Sequence, residues 1–249
     1  MKSDAKSTIE TGKAILGIEL GSTRIKAVLI DQENKPIAQG NHTWENQLVD
    51  GLWTYSIEAI WSGLQDCYAD LRSNVKNLYG IEIENLAAIG VSAMMHGYMP
   101  FNAKEEILVP FRTWRNTNTG RAAAALSDLF VYNIPLRWSI SHLYQAILDN
   151  EAHVKDIDFL TTLAGYVHWQ LTGEKVLGIG DASGMLPIDP ATHNYSAEMV
   201  AKFDKLIAPN QYNWTLQDIL PKVLSAGESA GVLTPEGSKK LDASGHLKA

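Results

Sequence analysis

The sequence predicts an α/β fold: a mixed sheet that starts with an antiparallel three-stranded meander, flanked by helices and carrying a helical insertion. Three observations predict it. Three short runs rich in branched residues stand near the N-terminus, separated by turns too short for a parallel crossover, which needs a dozen or more residues. A long amphipathic stretch and then an uncharged apolar run follow them. Most of the remaining chain has helical spacing, with no internal repeat and no stretch that reads as an interdomain linker.

The elements follow in order. Residues 14–18 are apolar and run into Glu19, with Gly21, Ser22 and Thr23 behind it; residues 24–30 follow and close on Asp31. That is strand, tight turn, strand. Asn34 and Pro36 mark the next turn, and residues 36–43 form the third strand. Ser56 is placed to cap a helix whose first turn holds Glu58. Ile57, Ile60, Trp61, Leu64, Tyr68, Leu71 and Val75 then recur at 3- and 4-residue steps, one apolar face of a long helix. Residues 86–93 carry no charge, which predicts a strand buried on both faces. Residues 121–130, the series Leu136, Ile140, Leu143 and Ile147, and residues 161–171 read as helices, the last stopped by Thr172 and Gly173. Two further helical stretches lie near Glu198 and Leu216, and Pro221 opens a glycine-rich tail.

Composition narrows the function. The 249 residues are 45% hydrophobic with a net charge of -7. An acidic chain gains nothing from counterion release, so nucleic acid is excluded as a partner. Cys67 is the single cysteine, which rules out a disulfide framework and fits a reducing compartment. Residues 1–13 are polar, lack a secretory apolar core and read as an N-terminal extension. No stretch suits a membrane span, so a cytoplasmic location is expected.

Three segments carry chemistry. The first, Gly17-Ile18-Glu19-Leu20-Gly21-Ser22-Thr23-Arg24-Ile25-Lys26, ends a strand on an acid and turns on a glycine expected at positive φ. Its amides suit a phosphate, its carboxylate a hydrated Mg²⁺, and Lys26 offers a point charge. An ordinary hairpin with an exposed acid is the bland alternative. The second, Ser92-Ala93-Met94-Met95-His96-Gly97, lies at the C-terminal end of the uncharged strand, where ligands of open α/β sheets bind. There His96 can bond a hydroxylated ligand; a structural histidine and core methionines are the alternative. The third, Trp114-Arg115-Asn116-Thr117-Asn118-Thr119, joins an aromatic face to amides and hydroxyls, a combination that suits a sugar or merely a polar loop. There is no P-loop, no dinucleotide-binding glycine pattern, no His-Glu-x-x-His and no Gly-x-Ser-x-Gly.

In this order the segments resemble the FGGY family of carbohydrate kinases, in the actin-like ATPase superfamily. Leu171-Thr172-Gly173-Glu174, Asp181-Ala182-Ser183-Gly184, Leu220-Pro221-Lys222-Val223 with Ala226-Gly227, and Gly231-Val232-Leu233-Thr234 support the resemblance over nearly the whole chain. It implies a ribonuclease H-like domain over residues 14–249 and a kinase of the pentulose type, acting on xylulose or ribulose with ATP and Mg²⁺. It also implies that Gly21, Ser22, Thr23 and Lys26 face the ATP phosphates and that Glu19 helps hold the metal. Met95, His96, Gly97, Trp114 and Asn116 would face the sugar. Two departures stand out: Glu19 replaces the family's aspartate, and Asn116 and Asn118 replace charged residues of its Trp-x-Asp-x-Arg. In the family, the Gly-x-Leu-Thr segment leads into a strand and a Gly-Asp whose aspartate is the catalytic base. That context is missing here, so no catalytic residue is expected in this chain and the nucleotide-binding C-terminal domain is expected as its missing partner. A homodimer is an allowed assembly. The competing reading is a non-catalytic sugar-binding or regulatory protein of the same fold.

Overall fold

The computed structural model describes residues 2–248. In chain order the first elements are α1 (Lys2–Glu10), β1 (Ile15–Leu20), β2 (Arg24–Ile30), β3 (Pro36–Thr43), β4 (Gln47–Val49), β5 (Leu52–Thr54), α2 (Ile57–Tyr79), β6 (Ala88–Ala93) and β7 (Met99–Phe101). Then come α3 (Gly120–Phe130), α4 (Ser139–Leu148), β8 (Phe159–Thr161), α5 (Leu163–Thr172), β9 (Val176–Gly178) and α6 (Ile179–Ala182). The last are β10 (Ile188–Asp189), β11 (Asn194–Tyr195), α7 (Ala197–Ile207), α8 (Leu216–Ile219), β12 (Lys222–Leu224) and α9 (Pro235–Leu241).

The meander forms as its turns predict. β1 pairs antiparallel with β2 from Ile15↔Ile30 to Leu20↔Ile25, β2 pairs antiparallel with β3, and β6 joins the other side of β1 in parallel. The order is therefore β3-β2-β1-β6. Alternation sends Leu16, Ile18, Leu20, Ile25, Ala27 and Leu29 to one face, where all are buried. α2 covers that face with Ile60, Leu64, Leu71 and Val75, after Ser56 Oγ accepts the Ala59 N–H at 3.1 Å as its cap. Gly80 ends the helix at φ 71°.

A second core fills the insertion, built from α3, α4, α7 and α8. The β7–β8 ribbon separates the two cores, and its period of two explains how. Met99, Phe101 and Phe159 face the sheet core, whereas Tyr98, just before β7, and Leu160 face the insertion core.

Several expectations need correction. β6 is not buried on both faces: its residues alternate between exposed and half-buried, because it is the edge of the sheet and its outward face lies bare. The helix expected over 161–171 starts at Leu163, since Thr161 belongs to β8 and the Thr162 hydroxyl accepts from Gly165 N–H as the cap. The polar N-terminal segment holds α1, whose Ile9 joins the sheet core at 2% exposure. The glycine-rich tail holds β12 and α9, the latter capped by Thr234 with Pro235 in its first turn.

Candidate functional site

The parallel pairing of β1 with β6 sets the geometry. Glu19 lies opposite Ser92 and Leu20 opposite Ala93, and Met94 N–H extends the ladder to Leu20 O at 2.9 Å. Both strands thus deliver their C-terminal ends to one edge. The Gly21-Ser22-Thr23 turn and the Met95-His96-Gly97 segment emerge there side by side, the position that ligands of open α/β sheets occupy.

The turn is held from behind. Gly21 N–H donates to Arg24 O at 3.0 Å, and Gly21 O accepts from Trp44 Nε1 at 2.7 Å. Tyr55 donates its hydroxyl to Ser22 O at 2.6 Å, and its ring stacks on Trp44 with centroids 4.2 Å apart. Burial pushes the Tyr55 hydroxyl up to about 12, with Arg115 opposing, so it stays a donor at any ordinary pH. Ser22 and Thr23 N–H groups and hydroxyls have no partner among the described residues, and these are the donors a phosphate needs. Contrary to expectation, Gly21 does not take a positive φ. Its glycine is explained by space instead, since a Cβ would lie 3.0 Å from Arg24 O. Removing the Tyr55 hydroxyl with Tyr55→Phe leaves the stacking but frees the turn, and should cost about 1 kcal/mol in urea unfolding. An unchanged midpoint would mean that the Ser22 contact contributes nothing.

Glu19 and Lys26 face each other across the β1–β2 ladder and form an exposed ion pair at 3.1 Å. They border an open hollow of about 430 Å³ with Gly17, Gly90 and Ser92, on the bare face of the sheet. Among the described residues, no three His, Cys, Asp or Glu side chains gather into a metal-holding group. A single carboxylate fits Mg²⁺ nonetheless, because that ion keeps its waters and takes its other ligands from phosphates.

His96 and Gly97 both adopt positive φ, at 69° and 99°. Gly97 is required there twice over, because a Cβ would also lie 2.9 Å from Arg112 O and 2.7 Å from the Phe111 ring. His96 Nδ1 meets Gly184 O at 3.3 Å, and its ring stacks on Trp138 with centroids 6.4 Å apart. A carbonyl only accepts, so Nδ1 carries the proton and Nε2 is left as an acceptor. Burial lowers the His96 pKa, the Gly184 carbonyl raises it, and the Arg137 guanidinium lowers it further. The imidazole is therefore neutral near pH 7. Met95 is exposed, and of the five expected sugar residues it alone lines a cavity of about 610 Å³ beside β6.

The third segment is arranged differently from its sequence reading. Asn116 is 4% exposed. Its Oδ1 accepts from Trp53 N–H at 2.9 Å, while Nδ2 donates to Trp53 O at 2.8 Å and Thr113 O at 3.0 Å. Both amide hydrogens are spent on backbone, so the side chain ties the loop to β5. An amide does this where a carboxylate cannot, since one group must both donate and accept. Trp114 is half-buried with the Arg137 guanidinium 6.0 Å from its ring, and Arg115 lies 3.5 Å over Trp53. The Arg137-Trp138 pair thereby bridges Trp114 and His96. Neither was expected at the site; the signal was an aromatic and a guanidinium directly ahead of a buried helix. Gly184 was seen as part of a motif, but its carbonyl's hold on His96 was not visible.

Asp181 lines the same 610 Å³ cavity. Burial raises its pKa, against a 2.5 Å hydrogen bond from Thr162 Oγ1. Among the described residues no helix is long and apolar enough to cross a membrane.

The family model described as the N-terminal domain of the FGGY family of carbohydrate kinases matches residues 14–245. The xylulose kinase of Escherichia coli K12 is 20% identical over 231 residues, covering 90% of this chain and 45% of that relative. A xyloylose kinase from Brucella ovis superposes with a TM-score of 0.75 at 21% identity, over 90% of this chain and 46% of the other. A gluconate kinase from Lactobacillus acidophilus gives 0.74 at 19% identity, over 92% and 45%. At such identities the structural likeness shows the fold, the ribonuclease H-like fold of actin-like ATPases. The chain spans about half the length of the relatives it matches.

Proposed function

Because this chain belongs to the FGGY family of carbohydrate kinases, matching its N-terminal domain, we propose that it is the sugar-binding half of an ATP-dependent sugar kinase. The acceptor is a ketopentose, xylulose or ribulose, and the γ-phosphate goes to one of its hydroxyls. The observation that carries this reading is the parallel β1–β6 pair, which presents a free-amide turn and a neutral histidine acceptor at one edge.

Phosphoryl transfer needs positioning, charge neutralisation and a base for the attacking hydroxyl. The Ser22 and Thr23 amides, with the close backbone of Gly21, receive phosphate oxygens. Lys26 supplies positive charge, and Glu19 would hold Mg²⁺, which when bound would neutralise charge developing on the phosphates. His96 Nε2 accepts a sugar hydroxyl, Met95 and Gly97 border it, and the Trp114 ring offers a face for sugar C–H groups. Asn116 ties the loop that carries Trp114 to Trp53 and Thr113. No residue of this chain is assigned as the base. Asp242 is 2% exposed and bonded to Ser244, His246 and Leu247 N–H groups, and Asp181 is tied to Thr162. The base and the adenosine site belong to the partner domain, which closes over the sugar.

Isothermal titration tests the sugar half directly. The 249-residue chain should bind xylulose weakly without phosphorylating it, and His96→Ala should weaken that binding about tenfold. Equal heats for both forms remove His96 from the site, and turnover by the chain alone refutes the assignment of the base elsewhere.

A further inference from the structure

Four side chains, Tyr98, Arg112, Glu151 and His153, close a ring behind the His96-Gly97 segment. The Arg112 guanidinium grips the Glu151 carboxylate with both ends of its fork, Nη1 donating to Oε1 at 3.0 Å and Nη2 to Oε2. It also lies over the Tyr98 ring, 5.2 Å from the centroid. The Tyr98 hydroxyl meets His153 Nε2 at 2.8 Å, and His153 Nδ1 stands 3.4 Å from Glu151 Oε2. Burial holds the Tyr98 pKa well above the usual tyrosine value, so this hydroxyl donates and Nε2 accepts. Tyr98 and Arg112 are both buried, at 0% and 6% exposure.

The backbone ties the ring to the site. Tyr98 N–H donates to Arg112 O at 3.0 Å and Arg112 N–H to Tyr98 O at 3.2 Å, an antiparallel bridge. His96 stands two residues before Tyr98, and Trp114 two residues after Arg112. An antiparallel register carried two residues further sets His96 opposite Trp114. α4 frames the same residues from the side of the insertion. Ser139 Oγ, at its start, donates to Gly97 O at 2.6 Å, while Glu151 and His153 follow its end. That helix, about 15 Å long, therefore holds the His96-Gly97 segment at one end and Arg112 at the other.

Stability alone does not explain the ion pair. Replacing a buried pair by uncharged groups of similar volume is often neutral or stabilising. Arg112 also leaves its Nε buried with no hydrogen-bond partner among the described residues, a cost that an aliphatic side chain avoids. What a guanidinium adds is direction. Its planar fork fixes Arg112, and the bridge with it, against one carboxylate.

We propose that Arg112, clamped by Glu151, is a positioning residue of the sugar site: through its bridge to Tyr98 it sets the spacing between His96 and Trp114. It touches neither the sugar nor the phosphates. His96 Nε2 and the Trp114 face meet one sugar molecule only while the bridge holds its register. This rests on the reading that His96 and Trp114 face a sugar.

The double variant Arg112→Met/Glu151→Gln tests it in the 249-residue chain. It removes both charges together and keeps an amide oxygen beside His153 Nδ1. Its urea midpoint should match the parent's, whereas its xylulose Kd by titration calorimetry should be about tenfold weaker. The ¹⁵N signals of the His96 imidazole give a readout that needs no sugar. With the proton held on Nδ1 by Gly184 O they stand far apart in the parent, and in the variant they should draw together as the tautomers mix. A double variant with the parent's affinity and imidazole signals overturns the proposal. So does one that stays destabilised, since the pair would then serve stability alone. If the parent itself binds no xylulose, the ketopentose reading fails, and the imidazole signals still decide the role of Arg112.

Discussion

Gly40→Ala should destabilise the chain by about 3 kcal/mol, the upper end of overpacking costs in a closed core. Gly40 lies in β3 opposite Ala27 of β2, directly under α2. A Cβ there would stand 2.3 Å from Cys67 O, 2.5 Å from Leu71 N and 2.8 Å from Leu71 Cβ. Two of these are backbone atoms of one helix, so no rotamer change relieves the clash. α2 must lift from the sheet, and Leu64, Leu71 and Val75 lose contact together. Gly120→Ala is the control, since a Cβ there meets nothing within 4 Å. Urea unfolding of the two variants should separate them clearly; matching midpoints would mean that α2 does not rest on β3 at this glycine.

Acid should unfold the protein early, and His142 is the main cause. The residue is 1% exposed on α4. Burial pushes its pKa down to about 3, and the positive charges of Arg112 and of protonated His96 act in the same direction. The folded value lies below the ordinary one of 6.5. The unfolded chain therefore binds a proton that the folded chain refuses. The associated stability is full above pH 6.5 and is lost as pH falls toward 3. At about 1.4 kcal/mol per pH unit, some 2 kcal/mol is gone by pH 5. His96, His153 and His168, each lowered mainly by burial, add to the same trend. His142 Nε2 has no hydrogen-bond partner, so His142→Leu abandons no polar contact at that atom. The variant should match the parent at pH 7 and outlast it at pH 5. Parallel stability–pH curves would show that His142 titrates normally.

The meander was legible because three signals agreed: branched runs, turn residues and loops too short to cross over. The edge position of β6 was not, because an uncharged run reads alike in a central strand and in an edge strand. Ile9 of α1 lay hidden in a polar context, although Ala5 and Ile9 stand four residues apart as one helical face requires. The site was legible in part. Residue type pointed to His96 and the Gly21 turn, and the parallel register that joins them came only with the fold. Asn116 shows the limit most clearly. Its sequence advertises an amide for a ligand, but nothing in the sequence says that Trp53 and Thr113 have already taken it. Likewise, Arg137 and Trp138 matter through where α4 begins, a tertiary fact.

A ¹⁵N chemical-shift titration of the 249-residue chain with xylulose tests the central claim most directly. The account predicts saturable shifts at the Met95, His96 and Gly97 amides and at the indole N–H groups of Trp114 and Trp138, with the α1 amides unmoved. Shifts confined elsewhere, or none at saturating sugar, would contradict a sugar site at the C-terminal ends of β1 and β6.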